Sequence, residues 1–180
     1  FPLHRGVVAC VDRPDPTPAA DLLASARTAL VVEGVNDHEN LGVLFRSAAA
    51  FGVDAVVLDP TCADPWYRRC VRVSMGHVLR VPHARADDWP TTLGDLPGSG
   101  WRVLALAPGG SALLHDLPPP GVDQRVAVVV GAEGPGLTDD ALAMPGIEQV
   151  RIAMASGVDS LNVATAAAVA LSHLRSPHLG

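Results

Sequence analysis

The sequence predicts an α/β fold: a mostly parallel sheet flanked by helices. Five short Val-rich runs, at 28–34, 54–58, 102–107, 125–131 and 148–154, are mostly followed by Gly, Pro or Asp, as strands buried on both faces are. Helical patterns lie between them, at about 40–51, 65–74, 86–95 and 138–143, and an Ala-rich helix is expected at 160–175. A chain of 180 residues that is 48% hydrophobic and 18% charged suits one compact core.

Taken in order, the chain starts at Phe1 without Met, and it is expected to be a fragment or a trimmed form. "DRPDPTP" (12–18), "PGSG" (97–100) and "LPPPG" (117–121) are Pro- and Gly-rich connectors, too short to divide domains. The first strand, "TALVVEG", leads to the helix of "HENLGVLFRSAAAFG". Its apolar stripe is Leu41, Leu44, Phe45, Ala48, Ala49 and Phe51, and Arg46 lies just off that stripe. A charge placed there is either a solvated edge or a tool.

A net charge of −6 argues against gripping nucleic acid by bulk electrostatics, so any polyanion contact must be local. All 13 basic residues are Arg. Cys10, Cys62 and Cys70 are odd in number and have no CxxC spacing, which fits a reducing cytoplasm and suggests neither a disulfide framework nor a zinc site. No run approaches the ~18 apolar residues of a membrane span.

Three loops follow strands: "NDHENLGVLFR" (36–46), "GAEGPGL" (131–137) and "MASGVDSLN" (154–162). In open α/β sheets such carboxyl-end loops hold ligands. The middle loop reads GxxGxG, not the GxGxxG that brings a helix N-terminus onto a pyrophosphate, and Glu133 would repel a phosphate. A nicotinamide-dependent oxidoreductase is therefore disfavoured. A ligand with a positive centre or neutral hydrogen-bonding edges suits the loop better.

"NLGVLFRSAAAFG", "VVVGAEGPGL" and "IAMASGVDSLNVATAAAVAL" together resemble, in order and spacing, the three signature motifs of the SpoU (TrmH-type) RNA ribose 2′-O-methyltransferases of the SPOUT superfamily. The likeness runs from about Leu30 to Leu174 and takes in the weaker "RVSMG" (72–76). It implies a C-terminal trefoil knot, bound S-adenosyl-L-methionine, no metal, a homodimer with the last helix at its two-fold interface, and a cytoplasmic enzyme. It also implies a catalytic domain at 28–180, led in by a linker at 1–27 that an N-terminal RNA-binding domain would precede. The expected reaction is methylation of a ribose 2′-hydroxyl in structured RNA, with ribosomal RNA preferred over transfer RNA. The rival is a catalytically silent RNA-binding module of the same fold.

By the same resemblance the catalytic residues are Arg46, Asn40, Glu133, Ser160 and Asn162. The cofactor would lie among Leu106, Ala107, Gly131, Glu133, Gly134, Ile152, Met154, Ser160 and Leu161. Two departures stand out: His38 and Ala153 occupy positions where the family often has Pro, which would soften loops beside the cofactor. Read as plain structure, Asn40 would cap the helix from Leu41 and also help place Arg46, while Ser160 would cap the last helix and Asn162 would satisfy a backbone group near its start. Glu133, as a carboxylate in an apolar strand exit, is expected to tie neighbouring loops together. His115 and His173 are expected at the surface. Arg68, Arg69 and Arg72 read as a solvated face and as the best local candidate for phosphate contact.

Overall fold

A computed structural model describes residues 10–174. Strands β1 (Thr28–Val32), β2 (Ala55–Leu58), β3 (His83–Arg85), β4 (Trp101–Leu106), β5 (Ala112–Leu113), β6 (Arg125–Val130) and β7 (Ile147–Arg151) form one seven-stranded sheet in the order β3-β2-β1-β6-β4-β7-β5. Every pairing is parallel. Parallel neighbours need crossovers, and helices α1 (Ala19–Ser25), α2 (His38–Ala50), α3 (Arg68–Val73), α4 (Trp89–Gly98), α5 (Asp139–Leu142) and α6 (Val163–His173) lie between and around the strands.

Alternation along the strands divides the core in two. Leu30, Val32, Val56, Leu58, Leu104, Val128 and Val150 point to the layer that holds Leu41, Leu44 and Phe45 of α2 and Ala164, Ala167 and Leu171 of α6. Ala29, Val31, Val57, Val103, Ala105 and Val129 point to the other layer, with Leu23 of α1 and Trp89, Leu93 and Leu96 of α4. Both faces are covered, which is why the strands read as unbroken apolar runs. Each large side chain buried this way contributes roughly 1.5–3 kcal/mol.

Several boundaries differ from the sequence expectation, and capping explains most of them. α2 starts at His38 because the Asp37 carboxylate accepts from the Glu39 and Asn40 amides, both at 2.8 Å, so Asn40 is not the cap. α6 starts at Val163 because Asn162 accepts from the Ala164 and Thr165 amides, which leaves Ser160 in the preceding loop rather than at a cap. α4 starts at Trp89, after the Asp88 cap, and runs on through Pro97. The last strand stops at Arg151, so Ile152–Met154 belong to a loop.

α1 occupies part of the expected linker and buries Ala19 and Leu23. With seven residues it is too short to show a period. The same holds for the edge strands β3 and β5, of three and two residues. Residues 1–9 of the expected linker and Arg175 of the expected last helix lie outside the described residues.

α3 rests directly on the backbone of α2. A Cβ at Gly42 would lie 2.9 Å from the Val73 Cβ and 3.0 Å from the Cys70 carbonyl oxygen, so only glycine permits this approach.

Candidate active site

β6, β4 and β7 are neighbours in the sheet, and a cleft of about 220 Å³ opens at their carboxyl ends. Leu106, Val130 and Val150 form its apolar floor, with Ala107, Pro108 and Ile152 beside them. One wall is the turn 131–137. Gly134 and Gly136 take left-handed backbone angles (φ 93° and 77°), and the Gly136 amide returns to the Ala132 carbonyl at 2.9 Å. A Cβ at Gly131 would lie 2.2 Å from the Gly136 carbonyl carbon and the Leu137 nitrogen, so the fold-back requires glycine there. Opposite stands the loop before α6, which contributes Met154, Ser160, Leu161 and Asn162.

Three polar side chains meet at the mouth. The Asn40 Nδ2 donates to Glu133 Oε2 at 2.9 Å. The Asn162 Nδ2 donates both to Glu133 Oε1 at 3.0 Å and to Asn40 Oδ1 at 2.7 Å. Since the Asn162 Oδ1 also caps α6, one side chain fixes the helix and joins the loops. Glu133 does tie loops together, but as an exposed carboxylate with two amide partners, not as a buried one.

All nine residues expected around a cofactor, Leu106, Ala107, Gly131, Glu133, Gly134, Ile152, Met154, Ser160 and Leu161, border this cleft. Val130, Val150, Val163 and Ala166 border it too and were not singled out by sequence; their signal is position alone, at strand ends and in the first turn of α6. Asn40 and Arg46 lie on α2, outside the lining. Arg46 is exposed and makes no hydrogen bond or ion pair among the described residues. Asn40 therefore does not hold Arg46; its amide is committed to Glu133 and Asn162.

The remaining expectations divide. His115 is exposed beside Asp116 at 3.2 Å, whereas His173 is half-buried, with its ring 3.1 Å from the Leu117 carbonyl. In the arginine cluster, Arg69 is paired with Glu39, and that partner raises its pKa further. Glu33, which sequence reading passed over, is buried at the end of β1 and accepts from Trp89 Nε1, the Thr138 amide and Thr138 Oγ1, each at 2.9 Å. Its signal was faint: a carboxylate directly after an apolar strand.

Residues 27–172 match the model of the SpoU rRNA methylase family. Among curated relatives, an uncharacterised tRNA/rRNA methyltransferase of Mycobacterium tuberculosis is 56% identical over 99% of this chain and 62% of its own length. The 23S rRNA (guanosine(2553)-2′-O)-methyltransferase of Bacillus subtilis is 34% identical over 85% of this chain and 60% of its own. This chain thus spans about six tenths of the length of these relatives. The fold is similar to that of an rRNA methyltransferase from Sinorhizobium meliloti solved with AdoMet bound, with a TM-score of 0.81 and 28% identity over 92% of this chain and 62% of that one. With these matches lying over the three loops that build the cleft, the chain belongs to the SpoU rRNA methylase family.

Proposed function

We propose that this chain methylates a ribose 2′-hydroxyl of RNA, using S-adenosyl-L-methionine held in the cleft at the ends of β4, β6 and β7. The observation that carries the reading is the Asn40–Glu133–Asn162 cluster, which binds the ends of three separate loops into one mouth. The cleft suits the cofactor. Its apolar floor fits an adenine, its backbone edges offer hydrogen bonds, and the Glu133 carboxylate favours a cationic sulfur over an anion. Leu106, Ala107, Gly131, Gly134, Ile152, Met154, Ser160 and Leu161 would hold it. When bound there, S-adenosyl-L-methionine would supply an activated methyl group on a cationic sulfur, with a neutral thioether as the leaving group.

The side chains do the rest by placement. Asn40 and Asn162 fix the Glu133 carboxylate, so the mouth keeps its shape while substrate binds. Arg46, the exposed guanidinium of α2, grips a substrate phosphate and stabilises the developing 2′-oxyanion, while the proton leaves to a phosphate oxygen or water. A guanidinium stays charged in proteins, so it serves here as a charge and a fork rather than as a base.

Ribosomal RNA is the preferred substrate, because the Bacillus subtilis relative is named for 23S rRNA. A preceding RNA-binding domain in the whole protein, a trefoil knot, a homodimer and a cytoplasmic location complete the reading. Three free thiols fit a reducing compartment, and the exposed Val169 among the small residues of α6 fits a close two-fold contact. The test is transfer of labelled methyl groups from S-adenosyl-L-methionine to ribosomal and transfer RNA, followed by mapping of ribose methylation. Cofactor binding without transfer to either RNA would instead favour the silent RNA-binding module. Light scattering that finds only 18.6 kDa particles would remove the dimer.

A further inference from the structure

The chain carries a single tyrosine, and it stands in an unusual place. Tyr67, immediately before α3, is 54% exposed, although the position next to it already supplies the core's aromatic packing there: the Trp66 ring lies 4.9 Å from His83, which in turn meets Phe45 at 5.1 Å. Tyr67 instead leans on His38, with ring centroids 4.4 Å apart and planes tilted by 45°. His38 is the first residue of α2, two positions before Asn40. The pair is therefore an aromatic surface beside the mouth of the cleft, backed on one side and largely open on the other.

The segment that carries it is rich in arginine, with Glu39 and Asp37 of the α2 start and Asp64 as its acidic neighbours. Residues 65–86 contain Arg68, Arg69, Arg72, Arg80 and Arg85 and no Asp or Glu, in a chain whose net charge is −6. Three of these arginines are committed: Arg69 to Glu39, Arg85 to the carbonyls of Asp59, Pro60, Cys62 and Ala63, and Arg68 to a partner of its own. Arg72 and Arg80 are exposed and make no hydrogen bond or ion pair among the described residues. A largely open ring on a segment with two uncommitted guanidinium groups matches one polymer well, since every base of single-stranded RNA offers a π face and every linkage a phosphate.

We propose that Tyr67, supported by His38, is a stacking platform for an unpaired base of the RNA close to the methylated nucleotide, with Arg72 and Arg80 on the flanking phosphates. The platform presents bases by stacking, so it selects an unpaired, splayed-out strand over a duplex and is tolerant of base identity. This rests on the reading of the chain as an RNA methyltransferase, but its test does not depend on turnover.

Because Tyr67 is the one tyrosine, 3-fluorotyrosine incorporation gives a single ¹⁹F resonance that reports on this ring alone. The labelled chain is titrated with a short oligoadenylate and, at the same salt, with an abasic ribose-phosphate oligomer of equal length. The resonance is expected to move with oligoadenylate and stay in place with the abasic oligomer. Tyr67→Ala should weaken oligoadenylate binding about tenfold and leave abasic binding unchanged, whereas Tyr67→Phe keeps the stacking face and should bind like the parent. In methyl transfer, Tyr67→Ala should raise KM for RNA with kcat little changed. Equal shifts with both oligomers, no shift with either, or a Tyr67→Ala variant with parental affinity and KM would each overturn the platform. Methyl transfer that continues in that last case leaves the methyltransferase reading standing, while a base-dependent shift in a chain that transfers no methyl would uphold the platform and sink the enzyme.

Discussion

The turns leaving β1 and β6, two strands side by side in the sheet, each carry a glutamate, and they are used in opposite ways. Glu33 is 6% exposed and gathers three donors from Trp89 and Thr138, which rivets α4 and the start of α5 to the sheet. Glu133 is exposed and gathers two asparagine amides from α2 and the loop before α6. A buried carboxylate with every oxygen occupied serves the fold, because its removal strands the donors around it. An exposed one held by amides can face a ligand while keeping its geometry. Position relative to the cleft, not residue type, separates the two.

The largest effect belongs to the chemistry. Arg46→Ala should slow methyl transfer about 100- to 1,000-fold, a loss of roughly 3–4 kcal/mol of transition-state stabilisation. Because Arg46 has no partner among the described residues, calorimetry should find cofactor affinity and melting temperature unchanged. Arg46→Lys sharpens the point: activity that stays poor at every pH means that the fork matters, and recovery in a steep rise toward alkaline pH would mean that the side chain removes the proton itself.

Next comes the direct contrast between the glutamates. Glu33→Ala strands the buried indole N–H of Trp89 and releases the Thr138 amide and hydroxyl, and should lower stability by about 1–3 kcal/mol, or roughly 3–10 °C in melting temperature. Glu133→Ala should cost about 1 kcal/mol or less, since its donors reach water, and should still impair methylation. Similar stability losses for both variants would mean that the two glutamates serve the fold alike.

Asn162 offers a finer cut, because its two ends do different work. Asn162→Ala removes the cap of α6 as well as both donated bonds and should cost about 1 kcal/mol. Asn162→Asp keeps the cap but places a second carboxylate beside Glu133, so it should hold stability closer to the parent while methylation drops. Denaturant unfolding alongside a transfer assay reads both.

The smallest effect is a null. Burial pushes the Cys62 and Cys70 thiols up to about 12, so neither forms thiolate near neutral pH, whereas Cys10 is exposed. A thiol reagent should therefore titrate one cysteine in the folded chain and all three after unfolding. Rapid labelling of Cys70 would mean that α3 opens from α2.

Much of this arrangement was legible in the sequence. The apolar runs gave the strands because a sheet covered on both faces needs no alternation, and the stripe on α2 gave its buried face. The glycines of the 131–137 turn and the polar residues near 160 marked the loops that border the cleft. What escaped reading depends on competition or on brevity. Asp37 and Asn40 are both good helix starters three residues apart, and only the folded chain shows that Asp37 caps while Asn40 turns to Glu133. The same rivalry exchanged Ser160 for Asn162. α1, β3 and β5 hold too few residues for a period to form, and Glu33 finds its partners 56 and 105 residues away, beyond any local pattern.

Gly42 carries a consequence for how far the protein can drift. A glycine in the middle of a helix weakens it by about 1 kcal/mol relative to alanine, yet here the missing methyl lets Val73 and the Cys70 carbonyl rest on the helix backbone. Asn40 and Arg46 ride on one of these two rods, and Tyr67 and Arg72 are carried at the start and along the other. The spacing between them thus works as a gauge block: a single added carbon would wedge the rods apart without touching Asn40, Arg46, Tyr67 or Arg72. If RNA reaches both rods at once, as proposed, that change would register as a loss of fit, and the dimension of the surface it meets would be set by an atom that is not there.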